Sequence, residues 1–191
     1  MLALDILDKT EQLIRQCVHN DRLAQRQLYE LYAPNMLGVC LRYAKTREEA
    51  EEILQEGFLK VFTKINQFNY EGSFEGWVRK IMVNTALEKL RSAKTLHPVI
   101  SIDTAHHNDA TNESLALPGL ATKDLLKMIQ QLTPMYRMVF NLYAFEGYKH
   151  REIAQLLGIS EGTSKSNLSD ARAILQRAVV NSQTITKLNG R

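Results

Sequence analysis

Tyr148-Lys149-His150-Arg151-Glu152-Ile153-Ala154-Gln155-Leu156-Leu157-Gly158-Ile159-Ser160-Glu161-Gly162-Thr163-Ser164-Lys165-Ser166-Asn167-Leu168 reads as a short amphipathic helix, a turn and a second helix. Ile153, Ala154 and Leu157 recur at helical spacing on one side. Gly158 stands where a left-handed residue ends the helix, and Ile159 plugs the turn. Ser160 is placed to cap the next helix. A helix starting there exposes Glu161, Thr163, Lys165, Ser166 and Ser169 and keeps Leu168, Ala171 and Leu175 on the core side. That polar outer face suits a helix laid in a major groove. The alternative, an ordinary helical hairpin, does not require a Gly-apolar-Ser turn or a small polar outer face.

Charge supports a polyanion as the partner of this stretch. The 191 residues are 45% hydrophobic and 24% charged, enough for one core or two small ones, with two the better fit. The formal charge of +3 divides unevenly: residues 1–93 sum to 0, residues 94–121 to −2 and residues 122–191 to +5. Cys17 and Cys40 sit in apolar helical patterns with no partner at metal-ligand spacing, which predicts buried thiols in a reducing cytoplasm. The first residues are too short and acidic for a signal peptide. No apolar run approaches a membrane span, so a soluble, cytoplasmic protein without membrane insertion is expected.

Taken in order, the chain predicts helices throughout. A short helix covers about Thr10 to Val18. Asp21 caps a second, in which Ala24, Leu28, Leu31 and Tyr32 face inward, and Pro34 suits the first turn of a further helical segment carrying Met36, Leu37, Cys40, Leu41 and Tyr43. The helix from about Arg47 to Asn66 opens with Glu48, Glu49, Glu51, Glu52 and Glu56 before turning apolar. Acids in a first turn complement the helix dipole, but five in nine residues exceed that need, and a docking face for a basic protein surface stands beside a merely solvated one.

Gln67 to Gly76 holds two glycines and scattered aromatics, the composition of a loop, and is followed by a basic helix from Trp77 to about Ser92. Phe68, Tyr70 and Phe74 beside a helix bearing Lys80 and Asn84 resemble equipment for unstacked bases, since aromatics stack on any base and Asn can read an edge. Phe74 and Trp77 would equally serve to close the core, the favoured role for Trp77. Lys94 to about Thr122 loses helical periodicity and reads as an interdomain linker. Its His106-His107 pair lacks a third ligand at metal spacing, so no metal is expected. Beyond it, Leu125 to Leu132 form a helix, Thr133-Pro134 starts another reaching Gly147, and the pattern fades after Gln176.

Together these segments resemble the extracytoplasmic-function group of sigma factors, the smallest members of the sigma-70 family. Glu49 to Phe62 resembles the family's core-polymerase-binding helix, Phe74 to Leu87 its promoter-melting and minus-10-reading segment, and Leu132 to Phe140 with the helix-turn-helix its minus-35-reading domain. The resemblance implies an all-α chain of two small helical domains, a region 2-like bundle over 1–93 and a region 4-like helix-turn-helix domain over 122–191, joined by a flexible linker over 94–121. It implies that Glu49, Glu52, Ile53, Gln55, Glu56 and Phe58 bind core RNA polymerase, on the coiled coil of its largest subunit, with flap regions as a further contact. Phe68, Tyr70, Ser73, Phe74, Lys80 and Asn84 would then serve the minus-10 element.

By the same resemblance Thr163, Lys165, Ser166 and Ser169 would meet the minus-35 element, and Arg137, Lys149, Arg151 and Arg172 its phosphates. Asp170 departs from the basic residue that many relatives carry there. A carboxylate repels phosphate, so Asp170 accepts from a cytosine amine or faces away. An anti-sigma factor is an expected partner; a cofactor, a small-molecule substrate and enzymatic activity are not. No nucleophile elbow, phosphate-cradling loop or paired-carboxylate arrangement occurs in the sequence. A stand-alone helix-turn-helix regulator is the alternative, and it would not need the acidic helix and aromatic loop.

Overall fold

The computed structural model describes residues 2–93 and 122–189, with side chains over 9–92 and 123–182. The expected linker and its His106-His107 pair lie outside the described residues. The chain divides into two compact units, Met1–Lys89 and Leu90–Arg191. Among the described residues every regular element is helical.

The first unit is built from α1 (Leu2–Val18), α2 (Arg22–Tyr43), α3 (Arg47–Lys64) and most of α4 (Phe74–Ala93), with a 3₁₀ turn at Ile65–Gln67. Helix α1 starts a full two turns earlier than its apolar spacing suggests. Its buried side is Leu13, Ile14 and Cys17, and the polar Thr10 is buried with them. Asp21 caps α2 as expected: its carboxylate accepts from the backbone N–H groups of Leu23 at 2.8 Å and Ala24 at 3.0 Å.

Pro34 does not open a new helix, because α2 runs through it unbroken. Proline deprives the Glu30 carbonyl of its helical donor, but position 34 is exposed, where water serves instead. Ala24 and Leu28 before it and Met36, Val39 and Cys40 after it are all buried, so core packing on both sides holds one axis. The inward stripe is narrower than expected, since Leu31 is 48% exposed.

Helices α2 and α3 pack closely, and α3 meets α4 at Gly57, where an added Cβ would lie 2.2 Å from Met82 Sδ. Met82 is fully buried with Val78, Val83, Ala86 and Leu87 of α4. A Cβ at position 57 would meet the thioether end of Met82, which would have to shift within the core to admit it.

The second unit contains α5 (Thr122–Gln131), α6 (Pro134–Ala144), α7 (His150–Leu157) and α8 (Glu161–Asn189). Thr133 and Pro134 begin α6 as expected, with Pro in the first turn where its missing N–H is harmless. Helix α8 does not fade after Gln176. Its buried positions Leu168, Ala171 and Leu175 continue to Val179, one more helical step, and the helix runs to Asn189. The core of this unit joins those residues to Ile129, Leu132, Met138, Val139, Leu142, Ile153 and Leu156.

Candidate nucleic-acid and protein interfaces

In the second unit, α7 ends at Gly158 with φ +64°, the left-handed conformation expected of it, and Ile159 N–H donates back to the Ala154 carbonyl at 3.0 Å. Ser160 caps α8: its Oγ accepts from Thr163 N–H at 2.9 Å and lies 2.8 Å from Thr163 Oγ1. The turn between α7 and α8 is therefore fixed by hydrogen bonds at both ends, which sets where the outer face of α8 points.

That outer face is as expected. Thr163, Lys165, Ser166, Ser169, Asp170 and Arg172 are exposed, and Leu168, Ala171 and Leu175 are buried. Ser166 Oγ donates to the Thr163 carbonyl at 3.1 Å, leaving its acceptor lone pairs outward. Lys165 pairs with Glu161 one turn back at 2.7 Å, and this pair holds the Glu161 carboxyl below its usual range. An exposed pair of this kind is weak and readily exchanged for a phosphate or a base.

Asp170 accepts a hydrogen bond from Tyr136 Oη on α6 at 3.2 Å, which raises the tyrosine pKa. The carboxylate is thus engaged by its own domain. Lys149 and Arg151 are exposed at the start of α7, where Glu152 accepts from the Lys149 backbone N–H at 2.7 Å. Arg137 is different. It is 4% exposed and donates through Nη1 to the Gln130 carbonyl at 2.9 Å, so as it stands it ties α5 to α6 and reaches no phosphate. The expectation of a phosphate contact there is corrected: an Arg at helical spacing among Met138, Val139 and Leu142 cannot be told from a surface Arg until the packing is known.

Two residues in this unit escaped the sequence reading. His150 Nδ1 lies 3.0 Å from Ser164 Oγ, and Ser164 is fully buried between the exposed Thr163 and Lys165. The polar outer run of α8 is therefore interrupted by one serine turned inward to a histidine on α7. Its i, i+4 relation to the buried Leu168 was the signal available in the sequence.

In the first unit the loop after α3 carries an aromatic cluster. Phe68 and Phe74 are buried, their rings 5.1 Å apart, and Trp77 stacks on Phe74 at 5.6 Å. Tyr32 of α2 meets Phe74 at 5.5 Å. Phe68 and Phe74 therefore close the core, which corrects their assignment as stacking surfaces. Tyr70 is the aromatic left outward: 52% exposed, 4.9 Å from the Phe68 ring, and held at φ +62°, unusual for a residue other than glycine. Ser73 caps α4, its Oγ accepting from Gly76 N–H at 3.1 Å, so α4 begins at Phe74 and the serine has a structural task. Lys80 and Asn84 are half-buried on α4.

The acidic cluster of α3 is paired within the chain. Glu49 accepts from the Lys45 backbone N–H at 2.6 Å, and its own N–H donates to Thr46 Oγ1 at 3.2 Å. Glu51 pairs with Arg47 at 2.8 Å and Glu52 with Lys89 of α4. Lys60 bridges Glu56 at 2.9 Å and Glu88 at 2.6 Å. Glu52, Gln55 and Glu56 remain exposed around Leu59, which is 68% exposed. Ile53 and Phe58, each 3% exposed, are core residues, and their assignment as direct contacts is corrected. An apolar residue ringed by polar and acidic ones is the usual make-up of a binding patch, and Leu59 went unnoticed because it continues an apolar run.

No helix among the described residues is long and apolar enough to cross a membrane. No group of three or more metal-ligating side chains occurs among them.

Residues 28–95 match the family described as Sigma-70 region 2, and residues 122–175 that described as Sigma-70, region 4. The chain is similar to the RNA polymerase sigma-H factor of Pseudomonas aeruginosa, 26% identical over 90% of this chain and 94% of that one. It is also similar to the ECF RNA polymerase sigma factor SigM of Mycobacterium tuberculosis, 27% identical over 87% and 82% respectively. Among solved structures, the sigma factor RpoE of Bartonella quintana, crystallised with the anti-sigma factor NepR, aligns with a TM-score of 0.49 and 20% identity over 81% of this chain and 95% of that one.

Proposed function

The chain belongs to the sigma-70 family, in its extracytoplasmic-function group, and from that premise we propose that it joins core RNA polymerase and directs initiation through two separate DNA contacts. The observation that carries the reading is the outer face of α8: a capped helix, held by a hydrogen-bonded turn, that exposes Thr163, Lys165, Ser166, Ser169 and Arg172, with its acids Glu161 and Asp170 engaged by Lys165 and Tyr136.

In this reading residues 1–93 form the polymerase-binding and minus-10 domain, 94–121 the linker and 122–191 the minus-35 domain. Thr163, Lys165, Ser166 and Ser169 face base edges, and Lys149, Arg151 and Arg172 face phosphates. Tyr70 is the surface for an unstacked base, and Lys80 and Asn84 of α4 serve the same element. Glu52, Gln55, Glu56 and Leu59 dock on the largest subunit's coiled coil, and Ile53 and Phe58 hold that helix in place from within. The basic surface of the polymerase must displace or share Lys60 and Lys89, the internal partners of these acids.

The polymerase performs the chemistry; this chain binds and selects, in the cytoplasm where its promoter DNA is. An anti-sigma factor completes the partners that membership of the group implies.

Run-off transcription with purified core enzyme tests the proposal. The expected result is a promoter-specific transcript that depends on this protein. Absence of that transcript, together with tight binding of the protein alone to a palindromic site, would establish a stand-alone regulator instead.

A further inference from the structure

Four side chains form a continuous column through the second unit. Ser164, fully buried on α8, meets His150 Nδ1 on α7 at 3.0 Å. The His150 ring stacks on the Tyr143 ring of α6, centroids 4.9 Å apart and planes inclined by 25°. The Arg172 guanidinium of α8 lies over Tyr143, its Cζ 5.3 Å from the ring centroid. The column leaves α8 at Ser164, crosses α7 and α6, and returns to α8 two turns later.

A long arginine side chain on a helix surface samples many rotamers, and fixing one costs conformational entropy. The Tyr143 face offers the guanidinium a seat through its ring quadrupole. Tyr143 is 37% exposed, so the ring is itself free to turn unless something backs it. His150 supplies that backing, and the Ser164 bond fixes the imidazole in turn.

We infer that Tyr143 is a positioning residue for promoter binding: it holds the Arg172 guanidinium ready for a phosphate, and His150, locked by Ser164, holds the ring. The inference rests on the reading of Arg172 as a phosphate contact. It assigns a role to two aromatic rings that meet no DNA themselves. It also accounts for the inward turn of Ser164, since a hydroxyl buried there needs a partner and His150 is the one that also reaches Tyr143.

The test uses full-length protein assembled with core polymerase, binding a promoter fragment over a range of salt concentrations. Arg172→Ala is expected to reduce the slope of log K against log salt by about 0.9, the loss of one phosphate contact. Tyr143→Leu is expected to weaken binding about two- to fivefold while keeping the slope near its original value, because the arginine still reaches its phosphate once fixed. Tyr143→Phe, which keeps the ring, retains the original affinity, and the double variant Tyr143→Leu/Arg172→Ala binds no worse than Arg172→Ala alone. His150→Ala follows Tyr143→Leu; His150→Phe, which keeps a stacking ring, recovers most of the affinity, which a general loss of folding would not do.

If Arg172→Ala leaves the slope unchanged, its phosphate contact is wrong and the inference falls with it. If Arg172→Ala lowers the slope but Tyr143→Leu binds as tightly as the unaltered protein, or the double variant falls further than Arg172→Ala, the contact stands and the positioning role is refuted.

Discussion

Substituting two glycines of the first unit by alanine gives unequal results, because only one of them lies against a buried side chain. Both lie inside helices, Gly38 in α2 and Gly57 in α3. In an exposed helix interior Gly→Ala stabilises by about 0.8–1 kcal/mol, since alanine restricts the unfolded chain and helix propensity rises. A Cβ on Gly38 meets nothing within 4 Å, so that gain is realised in full. A Cβ on Gly57 would lie 2.2 Å from Met82 Sδ and 2.9 Å from Met82 Cε, well inside contact distance. Met82 is fully buried, so its thioether has no solvent to retreat into and the methionine must find another rotamer within the packed core. Overpacking of this kind costs about 1–3 kcal/mol. Gly57→Ala is therefore expected to be less stable than Gly38→Ala by about 1–3 kcal/mol, the propensity gain being common to both. Urea unfolding followed by fluorescence measures this cleanly, because Trp77 is the sole tryptophan and reports on α4 of this unit alone. In a Met82→Ala background the penalty should vanish, a coupling of at least about 1 kcal/mol. Equal or greater stability of Gly57→Ala than Gly38→Ala would refute the argument that Met82 cannot yield to a side chain at position 57.

Other predictions concern both units. Ser160→Ala removes the cap of α8 and should destabilise the second unit by about 1 kcal/mol, read from its thermal transition by circular dichroism; an unchanged midpoint would show that the cap contributes nothing. Lys165→Ala should weaken recognition of the minus-35 element by roughly 1–3 kcal/mol if the lysine meets a base, and equal activity on promoters with and without that element's native sequence would remove its assignment. Burial pushes the thiol of Cys17 up to about 11 and that of Cys40 up to about 12, so at pH 8 a thiol reagent should label both slowly in the native protein and rapidly in denaturant. The same direction predicts stability constant below the unfolded thiol pKa and falling as pH rises from there towards 11–12, because only the unfolded chain ionises these thiols in that window; stability rising over that range would contradict their burial.

The residue pattern by itself determined the helical elements, the caps at Asp21 and Ser160, the left-handed stop at Gly158 and the outward positions Thr163, Lys165, Ser166 and Ser169. These follow from local chemistry, since a cap needs a short polar side chain, a left-handed turn tolerates glycine, and a helix shows its faces every 3.6 residues. Tertiary structure decided what local chemistry leaves degenerate. Phe68 and Phe74 look as suited to a base as Tyr70 does, yet packing against Tyr32 and Trp77 buries two and leaves one. Arg137 has the composition of a phosphate contact and lies in the interior, while three of the acids of α3, Glu51, Glu52 and Glu56, are paired with Arg47, Lys89 and Lys60 of the chain itself. Pro34 reads as a helix start and is carried inside a helix by the core on either side. In each case the residue type allows two fates, and the choice is made by neighbours distant in sequence, whose packing no local spacing encodes.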